Sequence, residues 1–213
     1  TRRQIGFLTR PEIEALLAAP DQSTWSGRRD YAILLVAVQC GLRLSELTGV
    51  CRMAIFLGTG AHISVLGKGR KERATPLTKE AAAVLRAWLC EIPDGADAIV
   101  FPSARGTRLS SDGMEYLLAK HVRTAVKRCQ SLANKRVTPH VLRHTTAMEF
   151  LQAGVDRSVI ALLLGHESVE TTQIYLDANL AMKEQALAKA APPSGNASRY
   201  HPEDQLLAFL KGL

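Results

Sequence analysis

Residues 28–40 carry apolar side chains almost all round a helix (Ile33, Leu34, Leu35, Val36, Val38), and Gly41 follows at once. A helix without a polar face has to be covered on every side, so this stretch predicts a central helix with other elements laid around it. Gly41 is suited to end it, because glycine takes left-handed backbone at little cost. The longest unbroken apolar run, residues 31–38, is far too short to cross a bilayer. With 213 residues, 46% of them hydrophobic, the chain is long enough to bury a substantial core around that helix.

The flanking elements follow from caps and periodicity. Thr9-Arg-Pro-Glu12 reads as a capping box opening a short helix to about residue 19, with Ile13, Leu16 and Leu17 on one face. Residues 25–27 break it from the central helix. Ser45 is the expected N-cap of a further short helix. From Met53 the period shifts to two. Residues 54–57, 62–65 and 74–76, joined by Gly-bearing turns, predict a three-stranded antiparallel meander. Thr78 caps a helix to about residue 90, with Ala82, Leu85 and Leu89 inward. Residues 93–102 read as loop with one brief apolar strand, and Ser110 or Ser111 opens a long helix to about residue 132.

Thr138-Pro139 starts a helix that Gly154 stops, since proline in a first turn forfeits no hydrogen bond. Residues 156–164 form a short helix closed by Gly165. Ser168 caps another through Tyr175, and residues 179–190 form an alanine-rich helix. The expected fold is mainly α with a small antiparallel three-stranded β-sheet (α+β). Residues 1–191 form one domain. Residues 192–213 form a Pro-Pro-Ser-Gly-Asn linker and an amphipathic segment carrying Leu206, Leu207, Phe209 and Leu210.

Net charge is +7 and the isoelectric point about 9.5. The charge is clustered: Lys68, Arg70, Lys71 and Arg73 in one group, Lys120, Arg123, Lys127, Arg128, Lys135 and Arg136 in another. Concentrated positive charge suits a phosphate backbone. Aromatic residues make up only 5%, too few to favour single strands held by stacked bases, and the net charge suits an anionic partner. Cys40, Cys51, Cys90 and Cys129 form no C-x-x-C pair, which reads as reduced thiols in a cytoplasmic protein. No cofactor or metal is called for, and no acidic cluster of the kind that holds Mg²⁺ is evident.

Several residues can carry chemistry. Arg43 follows the most apolar helix, where a guanidinium needs an anion: either an internal pair with Glu46 or a bidentate clamp on phosphate. His140 and Arg143 share one side of a helix's first turn, where backbone amides favour an anion, and His144 lies nearby. Lys68 stands between glycines in a hairpin, as a solvated loop charge or as an acid for a leaving oxygen. His166 can donate to a phosphoryl oxygen or be structural. Tyr175 is either core packing or a nucleophile, and its ordinary pKa near 10 means that nucleophilic attack requires a base or a strong positive field.

Taken together and in order, Gly41-Leu-Arg43-Leu-Ser-Glu-Leu, Gly67-Lys68-Gly-Arg-Lys-Glu-Arg73, Thr138-Pro-His140-Val-Leu-Arg143-His144 and Leu164-Gly-His166 through Tyr175 resemble the catalytic domain of the tyrosine recombinase (phage integrase) family. The resemblance covers roughly residues 9–177. It implies the family's catalytic-domain fold, with Arg43 and Arg143 on the scissile phosphate and Lys68 protonating the departing 5′ oxygen. It further implies His140 as acid/base, His166 as a further phosphate donor, and Tyr175 as the residue that forms a 3′-phosphotyrosyl bond. Site-specific recombination or integration without metal or ATP, in a synaptic tetramer on DNA formed from monomers, is the implied activity. A non-catalytic DNA-binding module and a type IB topoisomerase-like relaxer are the alternatives. Family members usually carry a preceding helical core-binding domain, and this chain begins where that domain would end. In relatives the segment after the tyrosine often docks on a neighbouring protomer; residues 206–210 can do so or fold back in cis.

Overall fold

The computed structural model describes residues 6–66 and 72–165. Helix α2 (Trp25–Cys40) is the axis of the fold, as its apolar composition requires. Ile33, Leu34, Leu35 and Val36 are at most 1% exposed, and α2 borders α1 (Arg10–Leu17), α3 (Leu44–Gly49), α4 (Lys79–Leu89) and α6 (Pro139–Gln152). Two further helices, α5 (Ser111–Ala125) and α7 (Arg157–Leu164), pack against α1 and α6 respectively.

Between α3 and α4 lies the expected meander: β1 (Ile55–Phe56), β2 (His62–Leu66) and β3 (Glu72–Pro76), antiparallel in the order β1-β2-β3. Ile63 pairs with Ile55 on one side and Thr75 on the other. Ile63, Val65 and Thr75 are buried, so one face of the sheet closes the core while the other stays open.

Most helix ends obey the caps that the sequence predicts. The side chains of Thr78, Ser110 and Thr138 accept from backbone N–H groups within the first turn of α4, α5 and α6, and Asp156, expected only as the start of a helix, caps α7 in the same way. At the N-terminus of α1, Glu12 accepts from the Thr9 N–H at 2.7 Å. Gly41 and Gly165 close α2 and α7 with φ of +58° and +66°.

Four boundaries differ. Residues 25–27 are the first turn of α2, because the Thr24 hydroxyl caps the Gly27 N–H at 3.0 Å. Arg43, not Ser45, is the N-cap of α3; the Glu46 carboxylate reaches back to the Arg43 N–H at 2.8 Å. No strand forms within residues 93–102, where Ile99 and Pro102 make only isolated bridges with Cys51 and Arg108. Helix α5 ends at Ala125, well short of residue 132, and a 3₁₀ turn (Gln130–Asn134) follows. The turn delivers Leu132 into the core and brings Ser131 and Lys135 onto the buried Glu12 carboxylate, at 2.6 and 2.7 Å. A straight continuation of the helix would forgo both. The expected helices beyond residue 165, the linker and the amphipathic segment lie outside the described residues.

Candidate functional site

The C-terminal end of α7 is where distant stretches of chain meet. A helix leaves its last carbonyls without intrahelical partners and carries the negative end of its dipole there. Three arginines take up those carbonyls. Arg73 Nε donates to Leu163 O at 3.3 Å, Arg143 Nη2 to Leu164 O at 2.6 Å, and Arg43 Nη2 to Gly165 O at 2.5 Å. Arg43 comes from the junction of α2 and α3, Arg143 from α6 and Arg73 from β3. Two guanidinium groups a hundred positions apart in sequence, Arg43 and Arg143, are thereby held on adjacent carbonyls, immediately before His166.

Each arginine is oriented further. Arg143, buried, also donates through Nη1 to Gly41 O at 2.6 Å, which ties the end of α2 to the end of α7. Gly41 permits this closeness: a Cβ there would sit 2.6 Å from Leu164 Cδ2. Arg43 is half-exposed and pairs through Nη1 with Glu46 Oε1 at 3.1 Å. Glu46 is gripped from its other side by Arg73, with Nη1 on Oε1 at 2.9 Å and Nη2 on Oε2 at 2.7 Å. Burial alone would push the Glu46 carboxyl up. The hydrogen bonds and charge of Arg73, with the Arg43 N–H and guanidinium, outweigh burial and hold it down at about 2. Glu46 is therefore an anion at neutral pH among these cations. Of the two possibilities open for Arg43, the internal pair with Glu46 is present, and the guanidinium stays partly exposed.

His140 is the second residue of α6 and exposed; its ring meets His144 edge-on, centroids 4.0 Å apart. One turn later Arg143 points into the core, so the two residues share a helix turn but not an environment. Lys68, His166 and Tyr175, with Arg70 and Lys71, lie outside the described residues. In the chain Lys68 falls between β2 and β3, and His166 directly follows Gly165.

The basic residues read as DNA-facing divide into two kinds. Lys120, Arg123, Lys127 and Arg136 are exposed, with Lys120 Nζ 3.6 Å from Asp30 Oδ2. Arg73 and Lys135 turn inward instead. Arg73 is spent on Glu46 and α7, and Lys135 donates to Glu12 Oε2 at 2.7 Å and Phe7 O at 2.9 Å. Neither carboxylate partner is near in sequence, so composition could not separate these two residues from their solvated neighbours.

Sequence reasoning also passed over a buried polar group in α2. Arg29 donates to Asp30 Oδ1 through Nε (3.0 Å) and Nη2 (2.7 Å), and His121 Nε2 lies 2.7 Å from Asp30 Oδ2. Arg29 Nη1 donates to Pro102 O at 2.9 Å, with its guanidinium over the Trp25 ring. Burial raises the Asp30 carboxyl, but the hydrogen bonds from His121 and Arg29 more than offset this and leave it lowered. The available signal was an Arg-Asp pair inside an otherwise apolar helix. Its position in the core makes it a brace between α2 and α5. Among the described residues no helix is long and apolar enough to cross a membrane, and no group of three or more His, Cys, Asp or Glu side chains could hold a metal ion.

Against this geometry the likeness to known proteins is informative. Integrase/recombinase y4rC of Sinorhizobium fredii is 66% identical over 213 residues, all of this chain and 64% of that protein. Tyrosine recombinase XerD of Pseudomonas putida is 35% identical over 190 residues, 87% of this chain and 61% of the relative. The chain thus spans about six-tenths of the length of these relatives. The crystal structure of XerA recombinase superposes with a TM-score of 0.70 at 29% identity, covering 89% of this chain and 68% of that one. The model of the phage integrase family matches residues 6–182, which include every stretch that meets at the end of α7, and this chain belongs to that family.

Proposed function

We propose that this chain is the catalytic part of a site-specific DNA recombinase or integrase that cuts and rejoins duplex DNA through Tyr175. The observation that carries this reading is the convergence of Arg43 and Arg143 on the carbonyls of Gly165 and Leu164, at the threshold of His166, itself nine residues before Tyr175. Two guanidinium groups held on consecutive carbonyls suit two non-bridging oxygens of one phosphate.

In the proposed reaction the Tyr175 phenolic oxygen attacks phosphorus, its proton passing to a base, with His140 in that role. The 5′ oxygen departs and takes a proton from Lys68. Arg43, Arg143 and His166 neutralise the charge that grows on the phosphoryl oxygens, which is where such a site gains most. The 3′-phosphotyrosyl bond conserves the phosphodiester. A 5′-hydroxyl of a partner duplex then attacks phosphorus, and the tyrosine leaves with its proton restored. Strand exchange of this kind calls for a synaptic tetramer assembled on DNA, in the cytoplasm.

The test is covalent capture. The chain is incubated with a pool of nicked random-sequence duplexes in EDTA, and SDS-stable protein–DNA adducts are recovered and sequenced. An adduct that forms without metal and disappears in Tyr175→Phe, with DNA retention unchanged, is the expected result. Retention without any adduct would make the chain a binding module. Relaxation of site-free plasmid by monomeric protein would make it a topoisomerase-like enzyme.

A further inference from the structure

Arg73 is the second residue of β3, just past the stretch that carries Lys68. By composition it belongs to a DNA-facing basic cluster, yet its side chain is only 11% exposed and its polar atoms are turned inward. Both Nη atoms are spent on the two oxygens of Glu46, and Nε on Leu163 O. A Cβ on Gly165 would lie 2.8 Å from Arg73 Nη1, so the guanidinium is seated directly against that glycine. One side chain therefore touches the start of α3, which presents Arg43, and the end of α7, which leads to His166. Its own strand leads back to Lys68.

Arg73 also limits what Glu46 can do to Arg43. Among the described residues, two charged groups face the Glu46 carboxylate: Arg43 from the α2–α3 junction and Arg73 from β3. With Arg73 on both oxygens, the Arg43 guanidinium is left a single contact, to Oε1 at 3.1 Å. Remove Arg73, and a near-buried carboxylate with one remaining cation would draw Arg43 into a closed bidentate pair, away from any phosphate. Lysine could not replace it fully, because an ammonium lacks the planar fork that serves two oxygens and a carbonyl together.

We infer that Arg73 is a positioning residue, which holds Arg43 (through Glu46) and the C-terminal end of α7 in place relative to β3, without itself touching DNA. This role rests on the recombinase reading above. The experiment measures single-turnover adduct formation at saturating protein, on the nicked duplex that wild type selects from the random pool. DNA retention and thermal melting are followed alongside. Arg73→Met is expected to lower the adduct rate about 100-fold, the loss typical of a catalytic group displaced by about an ångström. DNA affinity and its salt dependence should stay as in wild type, since no phosphate contact is lost.

Arg73→Lys should regain part of the rate. It should also show a loss of rate on the acid side that wild type lacks, as Glu46 becomes able to take up a proton. In a Glu46→Gln background Arg73→Lys should cost little more. An unchanged rate in Arg73→Met, or a weakened affinity with a shallower salt slope at unchanged rate, would overturn the role. If Arg73→Met fails to fold, an Arg73→Lys profile that matches wild type at every pH overturns it equally. No adduct from wild type would instead bring down the recombinase reading, and the role with it.

Discussion

Arg143 Nη1 donates to the Gly41 carbonyl at 2.6 Å, so a side chain of α6 caps the end of α2 while its other terminal nitrogen caps the end of α7. One buried guanidinium is both a cross-link of the fold and a member of the candidate phosphate site. Arg143→Ala should therefore fail twice. Adduct formation should lose on the order of 3 kcal/mol of transition-state stabilisation, as when an oxyanion donor is removed. Urea unfolding should show a further loss of about 1–3 kcal/mol from the orphaned carbonyls. A variant as stable as wild type would show that the cross-link does not matter to the fold.

Glu46 links folding to pH. Its carboxyl sits at about 2 in the folded chain against an ordinary 4.5, a lowered value. The stability it confers is thus fully present above the ordinary value and is lost as pH falls from about 4.5 towards 2. The amount is on the order of 3 kcal/mol for a shift of this size. Urea titrations across that window should slope downwards in wild type, and much less in Glu46→Gln. Parallel slopes in the two proteins would rule the linkage out.

The core brace predicts a stability defect of a different kind. Asp30→Ala leaves Arg29 and His121 without their shared anion, in a position 1% exposed. Breaking a buried pair from one side costs about 3–5 kcal/mol, so this variant should unfold at markedly lower urea. A loss below about 1 kcal/mol, the range of exposed ion pairs, would mean that solvent reaches the group.

Gly165 and Gly154 form a matched comparison. Both have left-handed backbone, φ +66° and +80°, so alanine at either should cost about 1–2 kcal/mol in backbone terms. At Gly154 an added Cβ meets nothing within 4 Å, whereas at Gly165 it meets the Arg73 guanidinium. Gly165→Ala should therefore lower the adduct rate as well as stability, and Gly154→Ala stability alone. Equal effects on the adduct rate would show that the Arg73 contact does not reach the chemistry.

The two kinds of basic residue should separate under salt. Arg136 is exposed, and Arg136→Gln should reduce the slope of log affinity against log salt by about one if that residue meets phosphate. Lys135→Gln should leave the slope alone and destabilise the chain, because Glu12, 1% exposed, loses its cation. Filter retention across a salt series, paired with melting curves, checks both.

Local chemistry made much of this fold readable. The hydroxyl caps at Thr78 and Thr138, the terminating Gly41 and Gly165, and the period-two stretch after Met53 all act within a few residues of themselves. The early end of α5 was not readable, because its cause is a carboxylate more than a hundred residues upstream, Glu12 drawing in Ser131 and Lys135. The same holds at the candidate site. Arg43 and Arg143 stand in recognisable stretches, but the inward turn of Arg73 depends on Glu46 and on the end of α7. Such pairings become visible only when the chain is folded.

Three like charges crowded together would ordinarily repel one another and spread apart until a ligand arrived. Here a helix terminus and one glutamate serve as their counterions. The three guanidinium groups are thereby gathered by acceptors that the chain itself supplies. Under the proposed function, Arg43 and Arg143 would meet a phosphate by exchanging acceptors while Arg73 stays on Glu46, with little of the ordering cost that gathering scattered arginines would impose.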